Sequence, residues 1–309
     1  MEHQSVLLLE SITNLNIKPD GIYIDGTLGR AGHSAEILKR LKTGHLYCFD
    51  KDLMAINESQ RKLAEISSNF TLINADFSCL KEELLKYDVT QIDGLLLDLG
   101  VSSPQFDDPK RGFSYRFDAL LDMRMDQTQS LNAYEVINTY SEQRLKEILY
   151  RYGEESYAKN IANKIVNARD IKPISTTYEL VEVVRSALPN KVLRQKGHPA
   201  KKTFQAIRIE VNNELKALEK VLVEGLSMLN HDGRICVIAF HSLEDRIVKQ
   251  LFSQYTKADQ LNKKIPVMPQ DIATSEYELI TKKPINASDE ELNDNNRSHS
   301  AKLRVIKKI

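Results

Sequence analysis

The sequence predicts an α/β fold: a parallel sheet covered by helices on both faces and interrupted by an inserted helical domain. Three observations carry this. Short apolar runs alternate with amphipathic segments over residues 21–100, the βα rhythm of a parallel sheet. The run Ile22-Tyr-Ile-Asp-Gly-Thr-Leu-Gly-Arg-Ala-Gly-His33 joins an apolar strand to a helix through a glycine-rich turn. Strand character then stops near residue 102 and returns only near residue 234, after a series of helical patterns.

The first strand, Ile22–Asp25, ends in an acid. Glycines at 26, 29 and 32 let backbone N–H groups come within contact distance of a ligand. The helix that follows, to residue 41, presents its N-terminus to that ligand. Strands at 46–50, 70–73 and 92–97 are near-continuous apolar runs, as expected when helices cover both faces. Helices at 54–66 and 80–87 connect them.

Helical patterns at 133–138, 141–150, 155–168 and 178–188 follow, the last capped by Thr177. A long helix over 204–229 leads back to strands at 234–240, 276–280 and 303–306. Ser242 is expected to cap the helix after the first of these, with Asp245 reaching back. The expected division is therefore 1–104 and 203–309 as two parts of one core, with 105–202 inserted. The polar stretches 259–273 and 286–300 read as exposed connections.

With 309 residues the chain can bury a substantial core. Its 43 basic and 43 acidic residues cancel, so any attraction to nucleic acid must come from a local patch. Cys48, Cys79 and Cys236 are odd in number and set among apolar residues, which predicts buried free thiols in a reducing compartment. The first residues lack a basic leader pattern and no stretch approaches a membrane span, so a cytoplasmic protein with no membrane partner is expected. No Cys/His metal spacing, P-loop or serine-nucleophile elbow occurs, and no metal is expected.

Four strand ends supply acids to one edge of the sheet, where ligands of open α/β folds bind. The turn spacing is G-x-x-G-x-x-G, unlike the dinucleotide G-x-G-x-x-G, and Asp25 before Gly26 would repel a pyrophosphate but attract a cationic ligand such as S-adenosylmethionine. Asp50 sits where an acid can accept both ribose hydroxyls of an adenosine, a position NAD and S-adenosylmethionine sites share. Asp76 and Phe77 are placed to meet the adenine, and Asp98 closes the fourth strand. After it, Ser102, Ser103 and Pro104 form a small-residue turn suited to a flat, hydrogen-bonding substrate.

A polynucleotide would find its cations in Lys191, Arg194, Lys196, Lys201, Lys202 and Arg208, a span without Asp or Glu. Arg111, in Arg111-Gly-Phe-Ser-Tyr-Arg116, adds charge beside aromatic rings, and His241 stands at the end of the fifth strand.

The sequence resembles the bacterial ribosomal RNA small subunit methyltransferase H family, also called MraW. The resemblance rests on Asp25-Gly-Thr-Leu-Gly-Arg-Ala-Gly-His-Ser34, Asp98-Leu-Gly-Val-Ser-Ser-Pro-Gln105, Arg111-Gly-Phe-Ser114, Leu121-Asp-Met-Arg-Met-Asp126, Tyr152-Gly-Glu-Glu155, His198-Pro-Ala200, Thr203-Phe-Gln-Ala-Ile-Arg208 and Phe240-His-Ser-Leu-Glu-Asp-Arg246. It implies a Rossmann-like class I methyltransferase sheet with an inserted helical domain. It also implies S-adenosylmethionine as cofactor and transfer to the exocyclic amine of a cytidine in the decoding region of 16S rRNA. Asp98, Ser102, Ser103 and Pro104 are then the catalytic candidates, aimed at the amine protons as positive charge develops on nitrogen. Carried over by position, the cofactor residues are Ala31, Gly32, His33, Asp50, Phe77, Asp98 and Gln105. The family has Gly where this chain has Ala31, a mild change if that residue has negative φ. The expected partner is 16S rRNA within the small ribosomal subunit, with a homodimer left open. An NAD-linked oxidoreductase and a non-catalytic RNA-binding assembly factor are the competing expectations.

Overall fold

Seven strands form one sheet in the order β3-β2-β1-β4-β5-β7-β6: β1 (Ile22–Asp25), β2 (His45–Asp50), β3 (Phe70–Asn74), β4 (Ile92–Asp98), β5 (Leu229–Ala239), β6 (Tyr277–Leu279) and β7 (Lys302–Lys308). The computed structural model of the protein describes residues 5–101, 105–106, 108–257, 275–295 and 298–309. Strands β1 to β5 pair in parallel, whereas β7 runs antiparallel to β5 and β6 antiparallel to β7. The order reverses direction between β1 and β4, the point at which strand ends diverge and open a crevice.

Side chains of adjacent residues on β4 enter opposite cores, which explains its unbroken apolar run. Leu95 and Leu97 pack with Phe49, Leu222, Leu226 and Phe252 on one face. Leu96 packs with Tyr23, Leu46, Ile37 and Leu38 on the other. A helix absent from the sequence reading, Leu8–Leu15, places Ile12 and Leu15 in this second core. Cys48 and Cys236 are buried free thiols as expected, but Cys79 is only half-buried.

The chain separates into two compact units, Met1–Gly100 with Leu215–Ile309, and Val101–Glu214. The expected return to the core at residue 203 falls inside the second unit, because the helix Lys201–Asn212 packs on Glu142–Gly153 there. The expected long helix over 204–229 is two helices, Lys201–Asn212 and Glu214–Met228. Asn213 breaks it with φ of 53°, a left-handed conformation that Asn tolerates better than most residues.

The inserted unit is helical, with Ile137, Leu145, Ile148, Ile161, Ile165, Leu180, Val184 and Ile207 in its core. Its helix Thr177–Ser186 is capped by Thr176 rather than Thr177. Glu179 bonds back to the Thr176 N–H in a capping box, and Thr177 instead donates its hydroxyl to Phe117 O. Within the stretch read as an exposed connection, Ser288 caps a short helix, Asp289–Asp294, and Ser298 is buried. Residues 259–273 lie outside the described residues. No helix among the described residues is long and apolar enough to cross a membrane.

Candidate functional site

The turn after β1 is held by its own acid. Asp25 is 1 % exposed; its Oδ1 accepts the Thr27 N–H at 3.0 Å and its Oδ2 accepts the Ser34 hydroxyl at 2.6 Å. The carboxylate expected to face a ligand therefore braces the turn. Burial raises its carboxyl above the ordinary range, against the opposing pull of Ser34 and Thr27. Gly26 is required by space, since a Cβ there would lie 2.5 Å from Leu97 Cδ2. Gly29 is required by conformation, with φ of 49°, and its N–H donates to Asp50 Oδ2 at 2.9 Å.

Ala31 has positive φ, so the condition under which the change from Gly is mild is not met. It is fully buried with φ of 55° at the N-cap of the helix Gly32–Leu38. A residue with a Cβ in this region costs about 1–2 kcal/mol relative to glycine. Ala31→Gly is therefore expected to raise resistance to unfolding by about 1 kcal/mol, read as a higher midpoint in urea. An unchanged or lower midpoint would show that the methyl group's packing outweighs the backbone strain.

Asp50, at the end of β2, accepts from Gly29 N through Oδ2 and from Asp52 N at 2.8 Å through Oδ1. Burial pushes its carboxyl up to about 6, against those two backbone donors. Each oxygen keeps a further lone pair for a ligand hydroxyl. Asp76, expected near an adenine, caps its own turn by accepting from Ser78 N at 2.8 Å. It also pairs with Lys51 at 2.8 Å. Its side chain thus closes the β3 loop, leaving Phe77, half-buried beside it, as the adenine-facing candidate there.

Asp98, at the end of β4, is the least satisfied acid of the set. Its backbone N–H donates to Thr27 Oγ1 at 2.6 Å. Its carboxylate Oδ2 lies 3.7 Å from His33 Nδ1, and its Oδ1 is buried with no hydrogen-bond partner among the described residues. Burial, then the nearby charges of Asp25, Glu244 and Glu291, hold this carboxyl well above the ordinary range. His33 does not neutralise it. Burial lowers that imidazole to about 4, so it is uncharged at pH 7. Its Nε2 lies 3.2 Å from Val6 O, and only a protonated nitrogen can donate to a carbonyl, which leaves Nδ1 as a lone pair facing Asp98. A polar atom left so in the interior favours a ligand that brings a donor or positive charge.

The N-terminal segment closes over this corner. Leu7 donates its N–H to Glu291 Oε1 at 2.8 Å, and a Cβ on Gly32 would collide with Ser5 Oγ. Neither Ser5 nor Glu291 was marked by any sequence motif, and only the fold brings them beside the turn.

The remaining expected residues take other places. His241 caps the helix Ser242–Tyr255 in a capping box with Glu244, replacing the expected Ser242 and Asp245 pair. Asp245 instead pairs with Arg304 at 2.7 Å and Lys302 at 3.3 Å. Arg111 is 5 % exposed and donates to Arg124 O and Met125 O, so it tethers a loop and has no face for phosphate. Arg208 forks onto Glu214 at 2.9 and 2.8 Å. Lys202 donates to Glu154 O, while Lys191, Arg194, Lys196 and Lys201 are exposed and make no ion pair among the described residues. Gln105 is buried in the inserted unit. Ser102, Ser103 and Pro104 lie outside the described residues.

Comparison with known proteins gives one consistent answer. A family model described as the MraW methylase family matches residues 1–309. A ribosomal RNA small subunit methyltransferase H of Exiguobacterium sibiricum is 54 % identical over 308 residues, covering 100 % of this chain and 98 % of that protein. Its counterpart in Mycoplasma mycoides is 56 % identical over 310 residues, covering 99 % of each. That of Oenococcus oeni is 52 % identical over 308 residues, covering 99 % of this chain and 98 % of that protein.

Proposed function

This chain belongs to the MraW methylase family, and from that premise we propose that it transfers a methyl group from S-adenosylmethionine to the exocyclic amine of a cytidine in the decoding region of 16S rRNA. The observation that carries the reading is the buried Oδ1 of Asp98, without a hydrogen-bond partner among the described residues, at the point where the strand order reverses. An anionic cofactor would be repelled there by Asp25, Asp50 and Asp98 together, with His33 neutral. A sulfonium and an ammonium group would be welcomed by the same acids.

The residues fit the cofactor. Gly26, Gly29, Ala31, Gly32 and His33 form the turn that would hold its amino-acid end, Asp50 would accept the ribose hydroxyls, and Phe77 would pack against the adenine. When bound, S-adenosylmethionine supplies an electrophilic methyl group on a positively charged sulfur. Asp98 balances that charge and offers an acceptor for amine protons. Holding the nitrogen in line with the methyl carbon contributes the rest, with Ser102, Ser103 and Pro104 proposed to hold the base. The methylated amine becomes acidic and releases its proton to solvent, so no dedicated base is required.

The reaction is tested with labelled methyl donor and small ribosomal subunits lacking the modification. Label recovered in one cytidine, on its exocyclic nitrogen, is the expected result. No transfer, or transfer to carbon or to a ribose hydroxyl, would overturn the reading.

A pH dependence follows from Asp50. Because its carboxyl titrates near 6 in the free protein, affinity for S-adenosylhomocysteine should fall below pH 6 by about tenfold per unit, as the acceptor is protonated. The fold responds in the opposite sense. A carboxyl raised by folding binds its proton more tightly in the native state, so this group adds stability as pH falls through 6 toward its unfolded value. Calorimetric titration beside urea unfolding over pH 5–8 should separate the two trends; a parallel fall of both would refute this role for Asp50.

A further inference from the structure

The inserted unit gathers aromatic rings from the Arg111–Arg116 segment and from the basic span. The rings of Tyr115 and His198 are stacked, with centroids 4.1 Å apart and planes 10° from parallel, and Phe204 meets Tyr115 edge-on at 5.7 Å. Beside this stack the chain leaves two rings open to solvent, Phe117 at 45 % and Tyr178 at 47 % exposure. Hydrogen bonds tie their two segments together. Tyr178 donates its hydroxyl to Arg116 O at 2.9 Å, and its neighbour Thr177 donates to Phe117 O at 2.6 Å.

The surface carries Arg116 and Arg185 beside the acids Asp118 and Glu182. Arg116 is exposed, and its guanidinium makes no hydrogen bond or ion pair among the described residues. Arg185 lies 3.9 Å from Glu182, a long and solvent-exposed contact of little energy. Burial first, then the charges of Arg185 and Arg116, lower the His198 imidazole. The carboxylate of Asp118 lies 3.4 Å from Tyr178 N, which it accepts.

We propose that this surface, with Phe117 and Tyr178 as platforms and Arg116 and Arg185 as phosphate contacts, binds unpaired bases of single-stranded RNA. The proposal rests on the RNA-directed reading above and names where the inserted unit would hold that substrate. Open aromatic faces next to guanidinium groups match a strand that presents one base and one phosphate per residue. A protein surface covering the rings would have to supply acids for both arginines as well. Base stacking on such rings is sequence-tolerant, so the site orders the strand while the donor pocket selects the base.

The test measures binding of a fluorescent single-stranded RNA of about a dozen nucleotides to the full chain. Phe117→Leu and Tyr178→Leu, which keep apolar volume but remove the rings, should each weaken binding roughly tenfold, while Tyr178→Phe keeps wild-type affinity. Arg116→Gln with Arg185→Gln should flatten the dependence of log affinity on log salt by about 0.7 per cation. S-adenosylhomocysteine affinity and the unfolding midpoint should not change in any variant. Wild-type affinity and salt slope in the ring and arginine variants would overturn the proposal. So would ring variants that alter self-association in sedimentation but not RNA binding, since the face would then be a protein interface. If the wild-type chain itself fails to bind RNA, the failure lies with the RNA-directed reading instead.

Discussion

Asp98→Ala is expected to slow methyl transfer by about three orders of magnitude while leaving the protein folded and no easier to unfold. A well-placed electrostatic partner of a developing charge is worth about 10²–10³ in rate, and the proposed reaction gives that role to Asp98. Stability should not suffer, because the deleted carboxylate forms no bond through Oδ1 and stands 3.7 Å from a neutral imidazole. Removing a buried carboxyl whose Oδ1 has no partner among the described residues relieves desolvation. Single-turnover transfer with saturating donor, paired with urea unfolding, measures both. A variant that retains activity would leave an RNA-binding assembly factor as the better description. One that loses activity only by unfolding would make Asp98 a structural residue.

Asn212→Ala should destabilise the inserted unit by about 3 kcal/mol. Asn212 is 3 % exposed and ties its own helix to one loop: Oδ1 accepts from Met125 N at 2.8 Å, and Nδ2 donates to Met123 O at 2.8 Å and Arg208 O at 2.9 Å. Truncation strands Met125 N and Met123 O in the interior, each at a cost of about 1–3 kcal/mol. Met123 already has φ of 59°, so the loop has little else to hold it in that conformation beyond Arg111, which clasps the next two carbonyls. A two-step melting curve, in which the early step moves down in temperature and the donor-stabilised step stays, is the expected calorimetric result. Unchanged melting would mean that water replaces the amide.

The sheet was legible because parallel strands buried on both faces leave unbroken apolar runs. Ile22–Asp25 was read to the residue, and the β4 run was read one residue short of Asp98. The acids at strand ends were legible because topology alone puts them on one edge. What each acid does there was not. Asp25 and Asp76 meet local donors, Ser34 and Thr27 in one case and Ser78 and Lys51 in the other, and nothing in a spacing says which acid its own turn will satisfy. Likewise Arg111 and Arg208 read as cations in a basic span, but long-range partners at Met125 and Glu214 occupy them. Asn212 carried no motif, since its importance depends on a loop 87 residues away in sequence. The capping residues show the same limit at short range: Thr176 and His241 were displaced by one position, and the choice followed from which side chain the fold turned toward the third residue of the helix.

The central claim is that the acid-rimmed turn between β1 and β4 holds an adenosine-bearing methyl donor of positive character. Titration calorimetry of the full chain with S-adenosylmethionine, S-adenosylhomocysteine and NAD tests it most directly. One site per chain for both sulfur compounds, tighter for the cationic one at low salt and weakened at least tenfold in Asp50→Asn, is the predicted result. Binding of NAD without binding of either sulfur compound would contradict it.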